Sequence, residues 1–342
     1  MTRAGSGSLP RYILQRTLLV IPMIWVILTL VFVVLRVAPG DPVSAALGGK
    51  LNADALEQRR EALGFNRPLI AQYWDYLSSV IHLDFGTTFS DNQPVLRVIR
   101  DNGGATLSLT IAAFVIALLV GIPLGLLAGR YRDSLSDVVI RLFGIVSYAA
   151  PIFFVGFLLQ VYVAKPLGLP TSGDASPITV FEVPPKTHIL LIDAFLSGNG
   201  AAIQDVLKHL VLPAVTLGLL ICGVFIRLVR VNMLQTMQTD YVEAAEARGI
   251  QRSKVTWRHA FRNALVPVIT VIGLQFALLL GGAVLTETTF NWPGLGQKLV
   301  FYINNRDYGA VQGIVTVFAI AVVLISLLVD IINALIDPRV RF

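Results

Sequence analysis

Six stretches of this chain are free of Asp, Glu, Lys and Arg and consist almost entirely of apolar residues. Each is about 17 to 25 residues long, which is the length of helix that crosses the hydrocarbon core of a bilayer. The pattern therefore predicts an all-α integral membrane protein with six transmembrane helices. The predicted spans cover residues 17–35, 106–128, 142–164, 210–226, 264–286 and 309–329.

The polar segments between the spans predict shorter elements. Asn52 is placed to cap a helix over residues 53–63, with Gly64 just after it. A second helix is expected over residues 69–81, and Pro94 is expected to begin a third that leads into the second span. We divide the chain into a cytoplasmic tail (1–16), a first transmembrane helix (17–37), an external segment with short helices (38–105) and a core with five transmembrane helices (106–342).

The composition fits a membrane protein, because 55% of the residues are hydrophobic and only 14% are charged. Soluble domains carry about 25% charged residues. If the N-terminus is cytoplasmic, the inner segments hold fifteen cations and seven acids, whereas the outer segments hold twelve cations and fourteen acids. Cations collect on the cytoplasmic side, so both termini are predicted to be cytoplasmic. Topology thus explains the net charge of +6, and we expect no nucleic acid partner.

The sequence lacks the motifs that would let the chain catalyse a reaction or power transport by itself. It has no G-x-x-x-x-G-K-[ST] phosphate loop, no H-E-x-x-H and no G-x-S-x-G. Its one cysteine, Cys222, excludes an intrachain disulfide and a cysteine-based metal cluster. The predicted spans contain no ionisable side chain, which disfavours a proton-coupled carrier. We expect no catalytic residue, metal or cofactor in this chain, and energy from another subunit.

Two alternative functions stay open at this point. The chain could be a self-sufficient carrier or channel of six spans, because a sodium site built from backbone carbonyls leaves no such trace in the sequence. It could also be a membrane scaffold or assembly factor. The sequence contains no motif that specifically supports either alternative.

Glycine and proline recur inside the spans. Gly121, Gly125 and Gly129 share one helical face, and small residues at this spacing let membrane helices pack closely. The alternative interpretation is a set of kinks along a passage that opens and closes. The prolines concerned are Pro22, Pro123, Pro151, Pro213 and Pro267.

The inner loop between the fourth and fifth spans predicts a short, capped helix. Asp240 is placed to cap its first amides while Glu243 reaches back, as in a capping box. Gly249 is placed to end the helix in the left-handed conformation. Two turns of helix are marginal alone in water, so this helix needs a surface to dock on. Ala244 and Ala245 are expected to present a flat surface to another protein.

Several motifs of this chain resemble those of one transporter family. Glu243-Ala244-Ala245 followed by Gly249 resembles the E-A-A...G motif of the membrane subunits of ABC importers. The run from His259 through Asn263 to Pro267 resembles the peptide and nickel branch of that family. Further motifs, in the same order as in the first permease of that branch, are Pro39-Gly40-Asp41-Pro42, Leu63-Gly64-Phe65-Asn66-Arg67-Pro68, Phe290-Asn291-Trp292-Pro293-Gly294 and Arg306-Asp307-Tyr308.

The resemblance implies a multi-pass subunit of the bacterial inner membrane that forms half of a translocation path. Implied partners are a second, related permease, two ATPase subunits or one fused ATPase, an external solute-binding protein and the lipid bilayer. ATP and magnesium would be bound by those ATPases. Asp41, Trp292 and Asp307 are candidates for contact with the binding protein or for structural turns. Peptides are the implied substrate, with dipeptides, oligopeptides and nickel chelates left open.

Overall fold

The computed structural model describes residues 9–37, 52–62, 64, 66–251 and 254–336. The described residues are almost wholly helical, apart from connecting turns and one isolated bridge between Thr87 and Pro94. The motif Pro39-Gly40-Asp41-Pro42 lies outside the described residues, as do Ser253 and the C-terminal residues from Asp337.

The first helices agree with the sequence pattern. They are α1 (Leu9–Val37), α2 (Ala53–Ala62) and α3 (Leu69–Ile81). Asn52 caps α2 through its side-chain oxygen, which accepts from the Ala55 amide at 2.9 Å. Gly64 follows with φ +70°, a left-handed conformation that glycine adopts without steric cost. The predicted cap and stop of this helix are confirmed.

The remaining helices include four of 24 to 37 residues and several shorter ones. In chain order they are α4 (Val95–Arg130), α5 (Leu135–Ala149), α6 (Ile152–Leu159), α7 (Lys165–Leu167), α8 (Pro177–Glu182), α9 (Leu190–Ser197), α10 (Gly200–Thr236), α11 (Asp240–Ala247), α12 (Phe261–Ala264), α13 (Val266–Thr289), α14 (Leu295–Asn304) and α15 (Tyr308–Ile336). A π-helical turn, Gln160–Ala164, joins α6 to α7, and a second, Val255–Ala260, precedes α12. α4 begins directly after Pro94, so the predicted external segment ends inside this helix.

Five helices in the described part of the chain are long and apolar enough to cross a membrane, namely α1, α4, α10, α13 and α15. The third predicted span, residues 142–164, is not one straight helix. Two helical segments replace it, namely α5 and the run from α6 to α7 (Ile152–Leu167), and they meet at a bend of 108°. Pro151 is the cause, because the residue before a proline avoids helical geometry, and Ala150 is extended with ψ 134°. The number of spans is six if these two segments are counted as one span that is broken at Pro151.

The centre of the bundle is the contact between α4 and α10, which run in the same direction. A Cβ built on Gly125 would lie 2.8 Å from the carbonyl oxygen of Ile226, and one on Gly129 would lie 2.7 Å from Met233 Cβ. The glycine face predicted from Gly121, Gly125 and Gly129 is therefore a packing surface against α10. Close approach of this kind is how small residues stabilise membrane helix pairs.

The relative positions of the helix ends fix the two ends of the bundle. Val95 at the start of α4 packs against Gly313 near the start of α15. At the other end of α15, Asp330 forms an ion pair with Arg16 of α1 at 3.1 Å. The start of α1, the end of α15 and the ends of α4 and α10 therefore share one end of the molecule. We refer to it as the inner end, following the charge distribution.

Candidate functional site

The helix α11 lies at the inner end, directly after α10, and begins differently from the prediction. Thr239, and not Asp240, is the N-cap, with φ −89° and ψ 149°. Its carbonyl accepts from the Val242 amide at 2.9 Å and the Glu243 amide at 3.2 Å. The predicted capping box at Asp240 is wrong, because Asp240 is already the first residue inside the helix. The Thr239 side chain does not cap the helix either, since its hydroxyl donates to the Thr236 carbonyl at 2.6 Å. Asp240 and Glu243 remain in the first turn, where negative charge favours the helix dipole.

The end of α11 agrees with the prediction. Gly249 has φ +75°, its amide donates to the Glu246 carbonyl at 2.9 Å, and the Ile250 amide donates to the Ala245 carbonyl at 3.3 Å. This pair of bonds is the Schellman arrangement, which requires a left-handed residue at this position. A Cβ at Gly249 would meet nothing within 4 Å, so the constraint is the backbone conformation and not space.

α11 docks on its own chain through one narrow side. Val242 is 1% exposed and Ala245 is 9% exposed, and both belong to a core with Val255, Ala260 and Ala264. The predicted flat surface is therefore wrong for Ala245, which points into the protein. Glu243, Ala244, Glu246 and Ala247 form the exposed side. We call these four residues the α11 outer face; it is acidic and has two small side chains.

The segment after α11 supports this docking. Asn263 of α12 donates from its side-chain amide to the Tyr241 hydroxyl at 2.9 Å. Pro267 is an exposed residue in the first turn of α13. His259 lies in the π-helical turn Val255–Ala260 that packs next to α11. The structure thus brings the predicted positions Asn263 and His259 to the same short region as Glu243 and Gly249.

The predicted outer positions have a structural role in this chain. Trp292 is 1% exposed and donates from its indole nitrogen to the Ala105 carbonyl at 2.9 Å. Asp307 is fully buried and accepts from the Phe89 amide at 2.6 Å and the Ser90 amide at 2.9 Å. Its other oxygen accepts from the Ala310 amide at the start of α15. Neither side chain is available for contact with another protein.

Sequence reasoning missed a buried carboxylate at the outer end of α13. Glu287 is fully buried and accepts from the Thr106 hydroxyl at 2.7 Å and the Gln297 amide at 2.9 Å. A Cβ at Gly294 would lie 2.3 Å from the Glu287 carboxyl carbon, so this predicted motif glycine makes room for the carboxylate. Glu287 directly follows the predicted span 264–286, and its side chain is buried inside the protein. The sequence signal that could have indicated this buried carboxylate is an acidic residue at the end of a span, followed by the glycines of Pro293-Gly294-Leu295-Gly296.

A second missed pair joins α5 to α10 near the inner end. Arg230 donates through two nitrogens to the Asp137 carboxylate, at 2.7 and 2.8 Å. Asp137 is fully buried, and Arg141 also approaches it at 3.4 Å. A forked contact of this kind fixes orientation as well as distance. It secures α5 to the helix that leads directly into α11.

Two cavities adjoin the bundle. The outer cavity, of about 940 Å³, lies between α4, the 174–193 segment and Trp292-Pro293. Its wall includes the Arg100 guanidinium, which donates to His188 at 2.7 Å, and Asp174, whose carboxyl pKa is raised by burial. The inner cavity, of about 700 Å³, is lined by α5, α10 and α13. Among the described residues no cluster of histidine, cysteine and acidic side chains is arranged to hold a metal ion.

Comparison with known proteins covers almost the whole chain. Residues 121–342 match the family described as "Binding-protein-dependent transport system inner membrane component", and residues 9–110 match the N-terminal region of such membrane components. The dipeptide transport system permease protein DppB of Escherichia coli (strain K12) is 38% identical over 97% of this chain and 98% of its own length.

Two further relatives carry other substrate names. The di/tripeptide transport system permease protein DppB of Pseudomonas aeruginosa (strain UCBPP-PA14) is 37% identical over 96% of this chain and 98% of its own. The glutathione transport system permease protein GsiC of Shigella flexneri serotype 5b is 32% identical over 97% of this chain and 99% of its own.

Proposed function

This chain belongs to the inner membrane components of binding-protein-dependent transport systems, and we propose that it is a permease subunit of an ATP-driven peptide importer. The family membership makes it a multi-pass protein of the bacterial inner membrane and agrees with its apolar helices. The resemblance to the first permease of the peptide branch supports peptides as the substrate, as do the dipeptide and di/tripeptide names of its relatives.

The α11 outer face is the observation that carries the proposal. α11 has only Val242 and Ala245 anchored in the core, while its acidic, small-residue side is exposed at the inner end. We propose that this side fits a groove of a cytoplasmic ATPase subunit. The short side chains of Ala244 and Ala247 would let the two backbones approach, and Glu243 would meet a cation on the partner.

The proposed assembly contains three kinds of partner protein. A second, related permease would complete the translocation path, and two ATPase subunits or one fused ATPase would bind ATP and magnesium. An external binding protein would deliver the peptide to the outer end. The purified chain alone is expected to show no ATPase activity, because its sequence has no phosphate loop.

Charge reversal on the α11 outer face tests the coupling role. Glu243→Arg is expected to lower uptake of a labelled dipeptide in cells by about tenfold or more, equivalent to about 1.4 kcal/mol or more of coupling free energy. Gly249→Pro is expected to act in the same way, because proline requires φ near −65° where the chain has +75°. Glu61→Arg, on the exposed surface of α2, makes the same charge change far from α11 and is the control.

The amount of chain in the membrane fraction is measured in parallel, and it is expected to stay unchanged. Uptake at the normal rate by both α11 variants would contradict the coupling role. Ion-driven flux in vesicles that hold only this chain would instead establish a self-sufficient carrier. Stable complexes with undiminished uptake after deletion of the gene would favour a scaffold.

A further inference from the structure

Helix α3 has three different sides. At 100° of rotation per residue, Tyr76 and Val80 lie within about 40° of each other. Ile70, Trp74 and Ile81 lie on a second side about 120° away, and Asp75 and Ser79 lie on a third. Tyr76 and Val80 are 9% and 7% exposed, so the first side packs against the protein. Ile70, Trp74, Ile81 and Asp75 are exposed, whereas Ser79 is half-buried, so the apolar side is open in the described structure and the polar side is open in part.

The protein-facing side attaches α3 to two membrane spans. The Tyr73 hydroxyl bonds to the Thr29 hydroxyl of α1 at 2.6 Å. The Tyr76 hydroxyl bonds to the Thr316 hydroxyl of α15 at 2.7 Å. The ring of Phe32 stacks on Tyr76 with 5.7 Å between ring centres. α3 is therefore held at a defined level along both helices.

That level lies below the outer boundary of the hydrocarbon. Arg16 and Arg36 of α1 are 20 residues apart, which is about 30 Å of helix and matches the thickness of a bilayer core. Thr29 lies seven residues before Arg36, about 10 Å beneath it. From the other span, Thr316 lies 14 residues from Asp330, the partner of Arg16, or about 21 Å above the inner ion pair. Both measures place α3 in the outer leaflet.

The exposed apolar side of α3 is unusually large for a segment in water. Ile70 is 70% exposed, Trp74 62% and Ile81 78%. On the third side, Asp75 forms an ion pair with Arg67. A helix with one apolar and one charged flank lies in the plane of the membrane interface, and tryptophan is enriched at that level.

We propose that α3 is an interfacial helix, with Ile70, Trp74 and Ile81 inserted among the acyl chains of the outer leaflet and the Arg67–Asp75 pair directed to the headgroups. The occupant of this surface is lipid, because α3 is attached to α1, and α1 itself exposes apolar side chains as a membrane span does, with Ile21 and Leu30 67% and 60% exposed. The inference rests on the membrane location of the chain and not on its proposed substrate or coupling.

The chain permits a direct measurement of this depth. Cys222 is its one cysteine and is 1% exposed, so a Cys222→Ser background leaves introduced cysteines as single labelling sites. A nitroxide is attached to Ile70→Cys, Trp74→Cys or Ile81→Cys in the full chain in phosphatidylethanolamine and phosphatidylglycerol nanodiscs. Collision with oxygen and with a water-soluble nickel chelate is measured by electron paramagnetic resonance. Asp75→Cys, one residue from Trp74, is the matched control.

The three apolar positions are expected to favour oxygen over the nickel chelate and to lie about 5 to 10 Å below the lipid phosphates. Asp75→Cys is expected to show the reverse preference. Equal access of the nickel chelate at all four positions would overturn the proposal, because the side would then face water. Exclusion of both reagents from the apolar positions would also overturn it, because a protein surface would then cover them. Unchanged elution in size-exclusion chromatography checks that each variant is folded.

Discussion

Glu287 illustrates at the residue scale how a carboxylate is kept inside this bundle. Thr106 and the amide of Gln297 donate to it, and the missing side chain of Gly294 leaves the space it occupies. Thr106 in turn accepts from the Leu295 amide at 2.8 Å. The carboxylate therefore connects α4, α13 and α14, and its role is to hold the outer ends of these helices together.

Removal of this carboxylate is expected to destabilise the chain. Glu287→Ala leaves two buried donors without an acceptor, at about 1 to 3 kcal/mol each, whereas Glu287→Gln keeps one acceptor oxygen and is expected to lose less. The measurement is the temperature at which Cys222, buried in the native chain, reacts with a thiol-specific dye. Glu61→Ala on the surface of α2 is the control. Equal melting temperatures for Glu287→Ala and Glu61→Ala would contradict this role.

Asp174 gives a prediction about pH. Burial raises the pKa of its carboxyl, so the folded state binds a proton more tightly than the unfolded chain does. Its contribution is therefore stabilising below the unfolded-chain pKa of about 3.9 and is lost as the pH rises through the folded-state value. At pH 7, Asp174→Asn is expected to melt at a higher temperature than the wild type. The difference between the two melting temperatures is expected to narrow toward pH 4. A lower melting temperature at pH 7 would contradict this, and Asp54→Asn on exposed α2 is the control.

Individual residues differ in how well the sequence predicts them. Gly249 was predictable, because a left-handed helix end is decided by the local backbone and glycine is its usual residue. The cap at Thr239 was not, because the turn that follows α10 decides which residue precedes α11. Trp292 and Asp307 were recognisable as motif residues, but their burial depends on Ala105 and Phe89, which are distant in the chain.

At the scale of elements, the contact between α4 and α10 shows why glycine is needed in a helix. Gly125 faces the backbone of Ile226, whereas Gly281 in α13 has nothing within 4 Å of its Cβ position. Both glycines therefore lie inside helices, but Gly125 is in contact with a neighbouring helix and Gly281 is not.

The same substitution at these two glycines is expected to have opposite effects. Gly125→Ala forces α4 away from α10, and overpacking of this kind costs about 1 to 3 kcal/mol. Gly281→Ala is expected to be neutral or to stabilise by up to about 1 kcal/mol, because alanine favours helix over glycine. Thermal unfolding followed by the reactivity of Cys222 measures both variants. A larger loss of stability for Gly281→Ala than for Gly125→Ala would show that contact with α10 does not determine the effect of the substitution.

Long helices were predictable from the sequence, and their directions were not. The spans within α1, α4, α10, α13 and α15 were found because their apolar runs are long enough for a helix that crosses a bilayer. The third run has the same length and composition, but Pro151 turns it by 108°, and hydropathy carries no information about direction. The short helices α8, α9 and α14 were missed because six to ten residues show too little periodicity.

At the scale of the whole molecule, the orientation of the chain in the membrane can be tested at residues near the two ends of the helices. Ala247 of α11 lies at the inner end, whereas Phe181 of α8, 92% exposed, lies in the segment between the third and fourth predicted spans. With Cys222 replaced by serine, Phe181→Cys is expected to react with a membrane-impermeant maleimide on intact cells. Ala247→Cys is expected to react only after the membrane is permeabilised. The opposite pattern would reverse the orientation derived from the positive-inside rule.

α10 is one continuous helix of 37 residues, which is about 55 Å long and exceeds the thickness of the bilayer. Its first turns supply Val206 and Leu210 to the wall of the outer cavity, and its last turn is followed within a few residues by α11. A tilt of this helix at one water-exposed surface would therefore also displace its other end at the opposite surface. In the proposed importer, α10 would therefore connect the solute at the outer side directly, through one helix, to the ATPase that docks on α11.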